Sequence, residues 1–176
     1  LTEAGIPRLF HSATMENIIR RGLPEALEYP RMRICSYLEN NEKCCDLGTG
    51  LILTGPCGTL KTTFACSIML EAFAHGIEAR FELVMSMLDR LLMLEKSNKD
   101  EYCRTMQKLC SVPILVLDDL GAEGHHADFV RSKLEQIIFQ RHANGRALII
   151  TTNLSPAGLA RLYPGRIMER LRERCL

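Results

Sequence analysis

The sequence predicts a three-layer α/β domain in which helices cover both faces of a parallel sheet. Four short apolar runs alternate with longer segments of helical periodicity, and this alternation is typical of such domains. The runs contain stretches such as ILVL and ALII, which indicate strands that are buried on both faces. A length of 176 residues, with 47% hydrophobic and 24% charged residues, fits one globular domain. We expect a single domain over residues 1–176, in which residues 1–50 form an N-terminal segment and helix.

The strands and the helices between them follow from the spacing of apolar residues. Strands are predicted over residues 51–54, 79–84, 113–117 and 147–152. Helices are predicted over residues 61–75, 86–95, 100–110 and 127–142. The first helix has Phe64, Ile68 and Ala72 at helical spacing and is expected to end at Gly76. The last is expected to end at Asn144 and Gly145.

The segment before the first strand is less regular. Residues 24–41 have helical character, but Pro30 lies inside this segment and is expected to break or kink the helix. Residues 44–50 are expected to form the loop that leads into the sheet.

The composition excludes several classes of protein. No run of about 18 uncharged apolar residues occurs, and the N-terminus does not resemble a signal peptide, so we expect a cytoplasmic protein without a membrane span. The eight cysteines form no paired CxxC motifs, and we expect them to be reduced rather than zinc-bound. The net charge of +1 is too small for a general polyanion binder.

The turn after the first strand has the pattern of a phosphate-binding loop. In LILTGPCGTLKTT, Gly55 and Lys61 have the spacing of GxxxxGK[ST], but Leu60 occupies the place of the second glycine. The backbone N–H groups of such a loop surround phosphate oxygens at a helix N-terminus. Lys61 would reach the β- and γ-phosphates, Thr62 would hold Mg²⁺, and Thr63 would meet the α-phosphate. The alternative is an ordinary glycine-rich turn between a strand and a helix.

Leu60 is expected to affect hydrolysis more than binding, since its backbone N–H still belongs to the loop. A left-handed backbone at this position would penalise leucine, whereas a helical one would accept it.

Polar residues follow the third and fourth strands at the same predicted sheet edge. Asp118 and Asp119 end the run ILVLDD, and Asn153 follows IITT. In phosphate-loop enzymes the first acid holds the Mg²⁺ shell and the second polarises the attacking water. Asn153 could orient water near the γ-phosphate. The alternatives are a helix-capping pair of acids and a polar turn residue.

The C-terminal segment RLYPGRIMERLRER concentrates positive charge. It has five arginines against two glutamates, and Arg166, Arg170 and Arg174 share one face of a predicted helix. A partner with acidic groups could contact it.

Five blocks of this sequence resemble the AAA+ ATPases of the DnaC/DnaI helicase-loader and IstB group. AGIPRLF with TMENI is similar to the adenine-side segment, GPCGTLKTT to Walker A, and ILVLDDLGAE to Walker B. HANGRALIITTNLSP is similar to the sensor 1 strand, and GRIMERLRER to the arginine-finger segment. The resemblance implies a sheet order of 5-1-4-3-2, with the fifth strand largely missing from this chain and beginning near Cys175.

The resemblance also implies the site residues, the cofactors and the partners. ATP or ADP would lie against the loop residues Gly55, Pro56, Cys57, Gly58, Thr59, Leu60, Lys61, Thr62 and Thr63. Mg²⁺ would be held by Thr62 and Asp118. The catalytic set would be Lys61, Asp118, Asp119, Asn153 and Arg170, with Arg170 acting on the nucleotide of a neighbouring subunit. The implied partners are a replicative helicase, further copies of this chain and single-stranded DNA, and any affinity for single-stranded DNA should fall steeply with salt.

The expected function is that of an ATP-hydrolysing helicase loader in DNA replication. One alternative is an IstB-type helper ATPase in transposition, whose partner would be a transposase. A second alternative is a nucleotide-binding switch with negligible hydrolysis because of Leu60.

Overall fold

Four parallel strands form the centre of the molecule. In the computed structural model, which describes residues 1–122, 127–163 and 165–176, they are β1 (Leu51–Thr54), β2 (Ala79–Leu83), β3 (Ile114–Asp118) and β4 (Ala147–Thr152). Their order across the sheet is β1-β4-β3-β2. Leu51 pairs with Ile149, and Ile114 pairs with both Ala147 and Ala79. The predicted strands are confirmed, with shifts of one residue at β2 and β3.

Nine α-helices accompany the sheet in the described ranges. They are α1 (Met15–Arg20), α2 (Glu28–Glu39), α3 (Asn41–Leu47), α4 (Lys61–Ala74), α5 (Val84–Ser97), α6 (Lys99–Ser111), α7 (Ala127–Ala143), α8 (Pro156–Leu162) and α9 (Arg166–Arg174). The four helices predicted between the strands are α4, α5, α6 and α7. Helix α4 ends just before Gly76, whose φ of 72° suits a glycine that follows a helix.

Two expectations about the N-terminal region were wrong. Pro30 does not break a helix, because it lies in the first turn of α2, where a backbone N–H has no acceptor within the helix. The segment 44–50 is not wholly a loop, since α3 continues to Leu47 and ends at Gly48 with a φ of 66°. Two short helices were also not predicted. Thr14 caps α1 and Ser155 caps α8 through their side chains.

The sheet separates two hydrophobic cores, as expected for three layers. Ile114 and Val116 of β3 face the core that includes residues of α1, α2 and α4. Leu115 and Leu117 face the core that includes residues of α5 to α9. Both cores contain fully buried residues from β4, so the continuous apolar runs reflect burial on both faces.

The two ends of the chain lie beside opposite edges of the sheet. The Phe81 N–H of β2 donates to the carbonyl oxygen of Ala4 at 2.7 Å. Gly5 permits this approach, because a Cβ at this position would lie 2.4 Å from the Phe81 carbonyl oxygen. At the other edge, Cys175 forms a parallel bridge with Gly50, just before β1. This bridge lies on the side of β1 where the resemblance implied a fifth strand.

A buried arginine joins the ends of three elements opposite the polar edge. Arg141 of α7 is 1% exposed, and burial lowers its pKa to about 9, so the guanidinium remains charged at neutral pH. Its N–H groups donate to the carbonyl oxygens of Leu109, Pro113 and Ala147 at 2.7, 3.2 and 2.5 Å. Arg141 therefore fixes α7 to the starts of β3 and β4 and to the end of α6.

None of the helices in the described part of the chain has the length and apolar character needed to cross a membrane.

Candidate functional site

The loop between β1 and α4 is closed by the lysine that follows it. Lys61 is the first residue of α4, and its Nζ donates to the carbonyl oxygens of Gly55 and Pro56, both at 2.8 Å. Pro56, Cys57 and Gly58 at the loop tip are exposed. Phosphate oxygens are stronger acceptors for an ammonium group than carbonyl oxygens are. The side chain is thus held beside the loop, where an anion could take over its hydrogen bonds.

Leu60 has the left-handed backbone conformation that the sequence left open. Its φ is 59° and its ψ is 17°, and it directly precedes α4. This conformation costs a residue with a Cβ about 1–2 kcal/mol. The side chain of Leu60 is half-buried and packs against the core beneath α1, α2 and α4, which offsets part of that cost. The loop therefore has, at Leu60, the left-handed backbone conformation that glycine adopts readily.

We predict that glycine is tolerated better than alanine at this position. Leu60→Gly removes the strain together with the packing, so the free energy of unfolding should change by less than about 1 kcal/mol. Leu60→Ala removes the packing and keeps the strain, so it should be less stable than the glycine variant by about 1 kcal/mol. Urea denaturation measures the free energy of unfolding of both variants. An alanine variant that is more stable than the glycine variant would contradict the left-handed conformation.

Hydrogen bonds connect the loop to β3 and β4 at the carboxyl edge of the sheet. The Thr62 hydroxyl donates to Asp118 Oδ1 at 2.8 Å, and the Thr151 hydroxyl donates to the same oxygen at 2.6 Å. Asp118 is 8% exposed and Thr151 is 2% exposed. The two predicted metal ligands, Thr62 and Asp118, are therefore adjacent. Mg²⁺ prefers oxygen ligands, including those of hydroxyl and carboxylate groups, so this pair of side chains fits the ion.

The second carboxylate contacts the predicted sensor residue. Asn153 Nδ2 donates to Asp119 Oδ1 at 2.9 Å, and both side chains reach solvent. Asp119 has a φ of 60°, so the chain turns sharply directly after Asp118. The Thr151 hydroxyl, which donates to Asp118, also accepts the backbone N–H of Asp119 at 2.9 Å, so that Thr62, Asp118, Asp119 and Asn153 lie in one connected network. The network contains a buried acid beside the loop and a more exposed acid beside an amide.

Two cavities border the loop. A cavity of about 190 Å³ lies between Thr63 and the N-terminal segment. Its other lining residues are Leu9, Phe10, Ser12, Ala13, Asn17, Ile18 and Arg21. A larger cavity of about 460 Å³ lies between the loop and α2, with Lys61, Gly55 and Arg33 in its lining. The segment that resembles the adenine side therefore adjoins the loop at Thr63.

Arg170 lies outside this network. Its guanidinium carbon is 4.6 Å from the centre of the Phe139 ring, and its Nη1 donates to the Arg166 carbonyl oxygen at 3.1 Å. The groove around it lies between α7 and α9 and is lined by Arg131, Ser132, Glu135, Gln136, Phe139, Arg166 and Arg170. This lining includes no residue of the loop and neither carboxylate. A role for Arg170 on a bound phosphate would therefore involve a second subunit.

Thr151 and Phe139 were not predicted from the sequence. Thr151 could have been found from strand alternation, since residues two apart on a strand share a face and Asn153 follows it by two. Phe139 had a weaker signal, because its contact with Arg170 joins two helices that are distant in the sequence.

Comparison with known proteins identifies the family. Residues 11–164 match the family described as IstB-like ATP binding protein. The chain belongs to the IstB-like ATP-binding family. A relative named for ATP binding in insertion sequence IS1162 of Pseudomonas fluorescens is 34% identical to this IstB-like chain over 104 residues. That alignment covers 59% of the chain and 43% of the relative. A second relative, named in the same way for an insertion sequence of Mycobacterium tuberculosis, is 28% identical over 135 residues, which cover 74% of the chain and 51% of that protein. The chain thus spans about half the length of these relatives.

Solved structures have the same fold as the IstB-like chain. The DnaC helicase loader superposes with a TM-score of 0.85 at 24% identity, and the match covers 97% of each chain. DnaI gives a TM-score of 0.80 at 22% identity and covers 97% of this chain and 92% of its own. The initiator DnaA bound to AMPPCP and single-stranded DNA gives 0.78 at 20% identity, over 97% of this chain and 50% of that protein. The fold is that of the P-loop AAA+ proteins.

Proposed function

We propose that this IstB-like protein binds and hydrolyses ATP with Mg²⁺ and uses the bound nucleotide to control protein assembly on DNA. The observation that carries the proposal is the hydrogen-bonded network of Thr62, Asp118, Asp119 and Asn153, in which Thr151 links the two acids. The network joins three motifs that are far apart in the sequence. The assigned roles are those of the P-loop pattern: Lys61 for the β- and γ-phosphates, Thr62 and Asp118 for the metal, and Asp119 and Asn153 for the attacking water.

Hydrolysis separates this proposal from a nucleotide-binding switch. The left-handed backbone at Leu60 leaves the loop in the glycine-type conformation, which supports an intact phosphate cradle. Phosphate release from ATP should therefore depend on protein and Mg²⁺, and Lys61→Ala should abolish it. Nucleotide binding by the wild-type protein without phosphate release above the Lys61→Ala background would favour the switch.

For the biological role, we propose a helper ATPase in transposition. The support is the family match together with the two relatives named from insertion sequences. Helicase loading, the role first expected from the sequence, is the second candidate. It is supported by the likeness in fold to DnaC and DnaI.

The partner decides between these two roles. Full-length protein should be mixed with ATP and either a transposase or the replicative helicase of the same cell. ATP-dependent co-elution with the transposase, and not with the helicase, would support the transposition role. The reverse result would support helicase loading. Lys61→Ala serves as the control in both mixtures, because it should lose any complex that requires bound ATP.

A further inference from the structure

Thr151 touches both acids of the site. It is one of the least exposed polar residues of the described chain, at 2%. Its hydroxyl donates to Asp118 Oδ1 at 2.6 Å, and its Oγ1 accepts the backbone N–H of Asp119 at 2.9 Å. A hydroxyl has one proton to donate and two lone pairs that accept, so both bonds form together. The Thr151 side chain of β4 thus makes hydrogen bonds to both acids at the end of β3.

The hydrogen bond from the Asp119 N–H to Thr151 Oγ1 lies at a strained position of the backbone. Asp119 is one of two residues other than glycine with a positive φ in the described chain, the other being Leu60. Such a conformation persists when surrounding contacts fix it. Besides the hydroxyl contact, the Leu120 N–H donates to the Thr151 carbonyl oxygen at 2.9 Å. Thr151 therefore holds the turn from both its side chain and its backbone.

The Asp118 bond concerns the carboxylate that would hold the metal. Asp118 Oδ1 accepts from two hydroxyls, those of Thr62 and Thr151. In the proposed function, the Thr62 oxygen is a metal ligand through a lone pair, and its hydroxyl proton still donates to Asp118. The Thr151 hydroxyl is the second hydroxyl that donates to the Asp118 carboxylate in the described structure. Hydrogen-bond partners of this kind orient a carboxylate that binds a metal.

We propose that Thr151 is a positioning residue that orients Asp118 for the metal and holds Asp119 beside Asn153. The inference rests on the proposed function, because it assigns no chemistry of its own to Thr151. It predicts that the Thr151 hydroxyl, and not merely a buried hydroxyl in β4, controls the response to Mg²⁺.

Thr152 provides a matched control one residue away. It is 0% exposed, its hydroxyl donates to the Leu120 carbonyl oxygen at 2.6 Å, and it accepts the Leu154 N–H at 3.1 Å. Thr152→Val therefore removes an equally buried hydroxyl from the same strand, but one that contacts neither carboxylate.

The experiment measures ATP turnover and ADP binding as functions of Mg²⁺ concentration for Thr151→Val, Thr151→Ser and Thr152→Val. Thr151→Val should lower kcat by about tenfold or more and raise the Mg²⁺ concentration for half-maximal turnover. Binding of ADP without Mg²⁺ should stay at the wild-type level. Thr151→Ser should restore the Mg²⁺ response, and Thr152→Val should leave it unchanged. If Thr151→Val does not fold, Thr151→Ala removes the same hydroxyl and is read in the same way.

Two results would overturn the inference while leaving the proposed function in place. One is a wild-type Mg²⁺ response in folded Thr151→Val or Thr151→Ala, and the other is an equal shift in Thr152→Val. Failure of the proposed function looks different, since the wild-type protein itself would then show neither turnover nor Mg²⁺-dependent ADP binding. That result would remove the role of Thr151 as well.

Discussion

Asp119→Asn is expected to bind ATP normally and to lose turnover by about a hundredfold or more, the usual effect of losing a residue that polarises the attacking water. Asp119 reaches solvent and contacts Asn153, so its carboxylate is placed for a water molecule rather than for the loop. Asparagine keeps the size of the side chain and removes its charge. Calorimetry gives the affinity, and phosphate release gives the rate.

The matched variant is Asp118→Asn, one residue earlier on the strand. Asp118 is buried against the Thr62 hydroxyl, so this change should weaken Mg²⁺-dependent binding as well as turnover. Binding in the absence of Mg²⁺ should change little. If the two variants weaken binding and turnover to the same extent, the separate metal-side and water-side roles are wrong.

Arg170→Ala should bind nucleotide at the wild-type level and lose turnover by about a thousandfold, as when an arginine finger is removed. The guanidinium lies over the Phe139 ring, in a groove whose lining includes neither the loop nor the carboxylates of its own subunit. Mixing Arg170→Ala with Lys61→Ala should restore part of the activity. In such a mixture, the Arg170→Ala subunit binds the nucleotide, and the neighbouring Lys61→Ala subunit provides Arg170.

Arg174→Ala is the control for Arg170. Arg174 is exposed on the same helix, and its guanidinium donates to the Leu47 carbonyl oxygen at 2.6 Å. Its loss should leave turnover unchanged. Arg170→Ala protein that hydrolyses ATP at the wild-type rate would remove Arg170 from the catalytic set and would favour the switch.

The strands and the polar edge were predictable from the sequence because both depend on local patterns. Apolar runs such as ILVL can be buried on both faces only inside a covered sheet, and parallel strands bring their ends to one edge. That is why Asp118 and Asn153 could be expected to lie near Thr62.

Features that depend on tertiary contacts were not predictable. Leucine alone disfavours a left-handed backbone, and the packing of Leu60 against the core, which offsets part of that cost, does not show in the sequence. Pro30 could be read as a helix breaker because a sequence does not show which turn of a helix a proline occupies. The hydroxyl of Thr151 has a role only when β3 and β4 are paired.

The central claim is that adenine nucleotide and Mg²⁺ bind at the loop around Lys61, and calorimetry with ADP tests it most directly. With Mg²⁺, the wild-type protein should give a saturable heat. At a ligand concentration of a hundred times Kd, binding should stabilise the fold by about 2.7 kcal/mol, visible as a rise in Tm. Lys61→Ala should give neither effect. A wild-type protein that shows no heat and no change in Tm at millimolar ADP and Mg²⁺ would contradict the claim.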